Sequence, residues 1–123
     1  MGRKSELVGM QIDSLEFHDS ILSVKCSGVF GIGTDGNPSG RLLSKSIKAW
    51  MENHPESKVE QIYVDFTGVD YTWGNGPVSS LVIFVARGVT RVHYIASHQN
   101  RKPLENLIKL SRFPWLTVGE AEK

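Results

Sequence analysis

The sequence predicts an α/β domain built on a parallel or mixed sheet. Two runs rich in β-branched and aromatic residues, Ile62-Tyr63-Val64-Asp65-Phe66 and Val92-His93-Tyr94-Ile95-Ala96, read as buried strands. Stretches of helical periodicity alternate with them, and glycine, proline and asparagine punctuate the junctions. The 123 residues, 40% hydrophobic and 22% charged, suit one domain with a core and are too apolar for a disordered chain.

Residues 1–14 carry scattered apolar positions that fit either a short helix or an added edge strand, and are expected to form an N-terminal extension. Residues 15–29 predict a β-hairpin, with Asp19-Ser20 as the tight turn. The alternation slips once on the way to Val29, which allows a bulge. A breaker-rich loop over residues 31–40 leads into a helix from about Arg41 to His54, with Leu43, Ile47, Trp50 and Met51 on one apolar stripe. Asn53-His54-Pro55 ends it, because the residue before proline avoids helical geometry.

After the strand at residues 59–67, residues 68–76 predict a loop and Pro77 opens a second helix running to about Arg87, with Gly88 just past its end. That helix is apolar nearly all round, which predicts burial on more than one side. A strand over residues 89–97 follows, then a helix from near Pro103 with Leu104, Leu107 and Ile108 facing inward, and a short strand at residues 116–118. The order β-β-α-β-α-β-α-β implies a domain over residues 15–118 with a tail at 119–123.

Charge and cysteine usage exclude several functions. Fourteen basic and thirteen acidic side chains give a net charge of +1, which offers nucleic acid little attraction. The longest near-apolar stretch, residues 78–86, falls short of the roughly 20 residues that span a bilayer. Behind Arg3 and Lys4 there is no apolar run of the kind a secretory signal needs, and Glu6 stands where a myristoylation signal wants Ser or Thr. With Cys26 alone, no internal disulfide forms; the expected location is the cytoplasm, and Cys26 reads as a small core residue.

Gly31-x-Gly33-x-x-Gly36 follows a strand, as a dinucleotide fingerprint does. Three points oppose that reading: Asn37-Pro38-Ser39-Gly40 separate the glycines from the expected helix, Glu56 and Glu60 precede the next strand instead of ending it, and the chain is short for a doubly wound dinucleotide domain. Asp70 and His98 are both placed at carboxyl ends of neighbouring strands, where ligands of open α/β sheets bind, and could form an acid/base pair. Two solvated loop residues are the stronger reading of them. No metal spacing, nucleophile motif or cofactor signature is present, so the expected activity is not enzymatic and no cofactor is expected.

The stretch Asp70-Tyr71-Thr72-Trp73-Gly74-Asn75-Gly76-Pro77 is the most informative. It turns tightly into the second helix, whose first N–H groups and dipole would favour an anion. Trp73 fits either a binding hot spot or a residue folded back on the core.

Together these residues resemble the STAS domain, named for sulfate transporters and anti-sigma-factor antagonists. The resemblance spans roughly residues 15–118. It rests on the strand and turn of residues 62–71, on Asn75-Gly76 leading to Ser80-Leu81, on the strand at residues 92–97, and on Leu104 and Leu107. It implies a mixed four- to five-stranded sheet with helices packed mainly on one face. It also implies a regulatory module whose partner is a kinase-like anti-sigma factor, and it is compatible with a homodimer. The family's antagonists are switched by phosphate on a serine where this chain has Asn75; Ser79 and Ser80 lie close but not at that position. Asparagine has no hydroxyl to phosphorylate, though it could cap the helix. The resemblance thus points to a binding surface of Asp70, Trp73, Asn75, Gly76, Ser79, Ser80 and His98. The alternatives are a module attached to a transporter that binds an anionic lipid or nucleotide, and an enzyme using Asp70 and His98.

Overall fold

The computed structural model describes residues 9–30, 37–71 and 75–120. Five strands form one sheet: β1 (Gln11–His18), β2 (Ile21–Val29), β3 (Gln61–Asp70), β4 (Arg91–Ala96) and β5 (Leu116–Glu120). Helix α1 (Asn37–Asn53) joins β2 to β3, the short helices α2 (Gly76–Ser79) and α3 (Val82–Val85) join β3 to β4, and α4 (Arg101–Ser111) joins β4 to β5. The spatial order is β1-β2-β3-β4-β5. β1 runs antiparallel to β2, and all later neighbours are parallel.

This order explains the layering. The parallel strands advance across the sheet in one direction, and crossovers of one hand then place every helix on the same face. Burial follows: Leu22, Val24 and Cys26 of β2, Ile62, Val64 and Phe66 of β3, and Val92, Tyr94 and Ala96 of β4 are all buried under the helices. Their alternate neighbours, such as Ser23, Lys25, Tyr63 and His93, lie on the uncovered face and are half-buried or exposed. Leu43 and Ile47 of α1 and Leu104 of α4 complete the core, as their spacing predicts. The mixed sheet with helices on one face is the architecture expected from the sequence.

Several boundaries differ for identifiable reasons. β1 begins at Gln11 and β5 reaches Glu120, so paired strand extends beyond residues 15–118 on both sides. β1 carries an extra residue between Ile12 and Ser14. The carboxylate of the bulged Asp13 accepts from Gln11 Nε2 (2.9 Å) and Ser27 Oγ (3.2 Å). β3 continues through Gly68 to Asp70 because it too is bulged: Lys25 pairs with Asp65 and Ser27 with Gly68. The Asp65 carboxylate accepts from Thr67 N (2.9 Å) and Thr67 Oγ1 (2.6 Å), giving the bulge's amide a partner.

The second helix is not continuous. Leu81 N bonds to Val78 O, Phe84 N to Leu81 O and Arg87 N to Phe84 O, all three residues apart. Val78, Leu81 and Phe84 share that spacing and are all buried. A three-residue repeat stays on one side only with tight i→i+3 turns, and the β-branched Val82, Ile83 and Val85 do little to favour an α-helix. The consequence corrects the expectation of burial all round: Val82 is 40% and Ile83 44% exposed.

Helix α1 begins at Asn37, directly after Gly36, and β3 ends on the acidic Asp70. Two of the three points against a dinucleotide fingerprint therefore fall. The sheet order supplies a better one. A doubly wound domain binds its dinucleotide where the strand order reverses, and here the order never reverses. Residues 31–36 themselves lie outside the described residues.

The hairpin turn is a two-residue loop with positive φ at both Asp19 (51°) and Ser20 (68°), the type I′ geometry that matches strand twist. Non-glycine residues are strained there. Ser20→Gly keeps the Ser20 carbonyl that accepts from Glu60 N and Gln61 N, and is expected to raise stability by about 0.5–1 kcal/mol. A thermal melt checks this; an unchanged or lower midpoint contradicts the turn assignment.

Candidate functional site

The connection from β3 to α2 carries most of the residues singled out in the sequence, and it is anchored at both ends. At its start, the buried Asn100 donates from Nδ2 to Phe66 O (2.9 Å) and Val69 O (2.7 Å), the carbonyls on either side of the β3 bulge. The same side chain accepts from Ser97 N through Oδ1 (2.8 Å), and Asn100 N donates to Ser97 Oγ (3.1 Å). That reciprocal pair is a capping box one turn ahead of α4, with asparagine in the place usually held by Glu or Gln. Only an amide can close the box and donate to two carbonyls at once.

At its far end, the wholly buried Tyr94 of β4 donates its hydroxyl to Pro77 O (2.5 Å). Burial holds the Tyr94 phenol well above its ordinary pKa, so it stays a donor. The Ser80 side chain is buried beside that phenol, and its Oγ completes no hydrogen bond of good geometry. Between the anchors, Tyr71 is buried edge-on against Phe30 with ring centroids 5.7 Å apart, and Phe30 N bonds to Asp70 O (2.9 Å). Burial pushes the Tyr71 phenol up to about 12.

The residues expected to form one surface are distributed between two. Asn75 and Ser79 are exposed at the start of α2, while Gly76 and Ser80 are buried beneath them. Gly40 of α1 approaches this turn closely: a Cβ on it would lie 3.5 Å from Ser80 Cβ and 3.6 Å from Gly76 O. The result is a groove of about 220 Å³ between α1 and the α2–α3 segment, lined by Gly40, Arg41, Ser44, Ser79, Ser80 and Ile83. Asp70 lies apart, exposed at the end of β3, in a hollow of about 580 Å³ with Thr67, Tyr71, Gln99 and Asn100. The described lining of that hollow holds one carboxylate and no cation, the wrong sign for a nucleotide or lipid phosphate. Trp73 lies outside the described residues.

Two possibilities that the sequence offers are not realised. Asn75 does not cap α2 with its side chain. Its backbone (φ −95°, ψ 6°) lacks the extended geometry that swings a capping side chain over the helix end, and its carbonyl accepts from Val78 N (3.0 Å) and Ser79 N (2.9 Å) instead. Since α2 has four residues and Pro77 supplies no N–H, the positive helix end expected here amounts to little. His98 does not pair with Asp70 either. Its side chain, 98% exposed, points to Glu120 at 3.7 Å, and Glu120 also meets Arg101 at 3.6 Å. Cys26 is buried as expected, and burial with the nearby Asp13 and Asp65 carboxylates pushes its thiol up to about 12, leaving it unreactive at neutral pH.

Asn100, Arg41, Ser44 and Ile83 were not singled out in the sequence. The Ser97-x-x-Asn100 spacing ahead of a helix was a usable signal for the first. The others become visible only once α1 lies against the α2–α3 segment.

The fold is shared with a crystal structure of an anti-sigma factor antagonist from Mycobacterium paratuberculosis. The TM-score is 0.55 at 20% identity, over 90% of this chain and 87% of that one. No family model and no curated protein matches the chain. Among the described residues no helix is long and apolar enough to cross a membrane.

Asn100→Ala strips two buried carbonyls of their donors and opens the capping box. The expected loss is about 2–4 kcal/mol in urea unfolding, at roughly 1–3 kcal/mol for each orphaned group. Asn100→Asp keeps an acceptor for the box but donates nothing and sets a charge against two carbonyls, so it should cost at least as much. A mild Asn100→Asp variant would show that capping alone is the role of this residue.

Proposed function

We propose that this chain is a regulatory module that docks a protein partner on the surface formed by Asn75, Ser79 and Ile83, and that it is not an enzyme. The observation that carries this reading is the exposure of Ile83 in the α1–α2 groove, with the exposed Val82 next to it in the chain. Apolar side chains grouped on a fixed, concave surface favour association with another protein. The shared fold with an anti-sigma factor antagonist supports the same class of role. The partner that the STAS resemblance implies is a kinase-like anti-sigma factor. Ligand binding by a transporter-attached module is the weaker reading, because the larger hollow carries the wrong charge for an anion.

Asn75 determines the mode of regulation in this proposal. A phosphate on a serine would add nearly two negative charges to the docking surface. The neutral, exposed Asn75 has no hydroxyl to phosphorylate, so this position of the surface stays uncharged. Partner binding is then constitutive, or it is governed by the amount of protein.

The test uses the purified chain as bait in an extract of its source cells, with bound proteins identified by mass spectrometry. Asn75→Glu and Ile83→Glu, each verified as folded by circular dichroism, should reduce recovery of the specific partner at least about tenfold, the size of effect expected for a central interface residue. Leu110→Glu, on the exposed side of α4, should leave it unchanged. Equal recovery by all variants would refute the docking surface.

A further inference from the structure

The charges around the α1–α2 groove are distributed unevenly. The chain as a whole is balanced, with fourteen basic and thirteen acidic side chains. Yet from residue 37 to residue 51 there are three cations, Arg41, Lys45 and Lys48, and no acid. From residue 75 to residue 87 there is one cation, Arg87, and again no acid. The three α1 cations are spaced i, i+4 and i+7, which puts them on one side of the helix. Arg41 and Ser44 line the groove, and Lys45 and Lys48 continue from Arg41 along the exposed side of α1 next to it. All three are exposed, and among the described residues none of them makes an ion pair.

Resting on the docking surface proposed above, we infer that the partner presents an acidic segment to Arg41, Lys45 and Lys48, with an apolar side chain seated against Ile83. Two features of this surface select that occupant. Cations with no ion pair among the described residues and no acid between them form a positive strip that rewards a negative counterpart and repels a basic one. The groove at the end of the strip is concave and about 220 Å³, room for one apolar side chain beside the carboxylates. An anionic membrane would meet the same charges. However, the apolar element here is a half-exposed Ile83 in a groove and not a protruding aromatic or leucine ridge, which favours a protein.

The strip is cut by no acid until Glu52, where α1 ends beside Arg87. The partner's acidic stretch should therefore run along two turns of α1, from Arg41 to Lys48, a length of roughly 10 Å at 1.5 Å per residue.

The experiment places a photo-crosslinking amino acid at Ser79 and, separately, at Ser44 in the full-length chain within its source cells. The captured protein is identified and purified, and its affinity for the unmodified chain is then measured. The inference predicts that crosslinks from Ser44 map to a segment rich in Asp and Glu. It also predicts that R41E/K45E/K48E weakens the complex by more than about tenfold with the fold intact, and that raising the salt weakens the wild-type complex but not the variant. Crosslinking at Ser79 with unchanged affinity of the triple variant would overturn the acidic-partner inference while leaving the docking surface standing. No specific capture at either position would overturn both. Co-sedimentation with vesicles containing about 30% phosphatidylglycerol, lost in the triple variant and without any captured protein, would assign the strip to a membrane and also overturn the inference.

Discussion

One buried amide ties together the parts of this fold that matter for its surface. Asn100 sits where β4 gives way to α4, yet its two donated hydrogen bonds go to β3, thirty-four and thirty-one residues earlier in the chain. A bulge near the end of a parallel strand leaves carbonyls facing inward with no ladder partner, and water cannot reach them. The carboxamide supplies both partners and uses its remaining acceptor to start α4. Ten residues on from the bulge, Pro77 O finds its partner in the hydroxyl of Tyr94, from the strand that Asn100 follows, β4. The end of β3 and the start of α2 are thus tied to β4 and the turn that follows it, so Asn75, two residues before Pro77, is held even though it is exposed.

The topology then decides what the outside world meets. Sequential parallel strands with all helices on one face produce two unlike surfaces. The helical side presents α1 and the α2–α3 segment, with its groove, its cations and its two exposed branched residues. The uncovered side of the sheet is polar and interlocked. There the Tyr63 and His93 rings lie 5.3 Å apart, Arg91 stands over Tyr63, and His93 Nδ1 meets Thr117 Oγ1 at 2.7 Å. Partial burial and the Arg91 charge lower the His93 pKa, so the ring favours its neutral form in that setting. Such a face, its rings and polar groups mostly in contact with one another, has less reason to recruit a partner than a face that sets cations with no ion pair among the described residues beside apolar side chains.

Much of this was legible in the sequence. The strands at residues 62–66 and 92–96 stand where composition put them, the Asp19-Ser20 turn closes the hairpin, and α1 buries the stripe of Leu43 and Ile47. What could not be read depends on tertiary context. Gly68 looks like a strand breaker, but here it belongs to a bulge whose amide is satisfied by Asp65. The run of residues 78–86 looks like a helix buried all round, yet a three-residue repeat of buried side chains wound it into two tight turns and turned Val82 and Ile83 outward. The cap open to Asn75 and the conceivable pairing of His98 with Asp70 are absent for a related reason. Both assumed side-chain directions that local backbone geometry and a nearer carboxylate, Glu120, decided otherwise.

The most direct test of this account follows the Asn100 side chain itself by nuclear magnetic resonance. Both Nδ2 protons should exchange with solvent only through unfolding of the domain, as slowly as the core amides of β3 and β4, because both are held in buried hydrogen bonds. Exchange of either proton at the rate of a solvent-exposed amide would contradict it. The carbonyls of the β3 bulge would then lack the clamp on which the position of the whole connection to α2 depends.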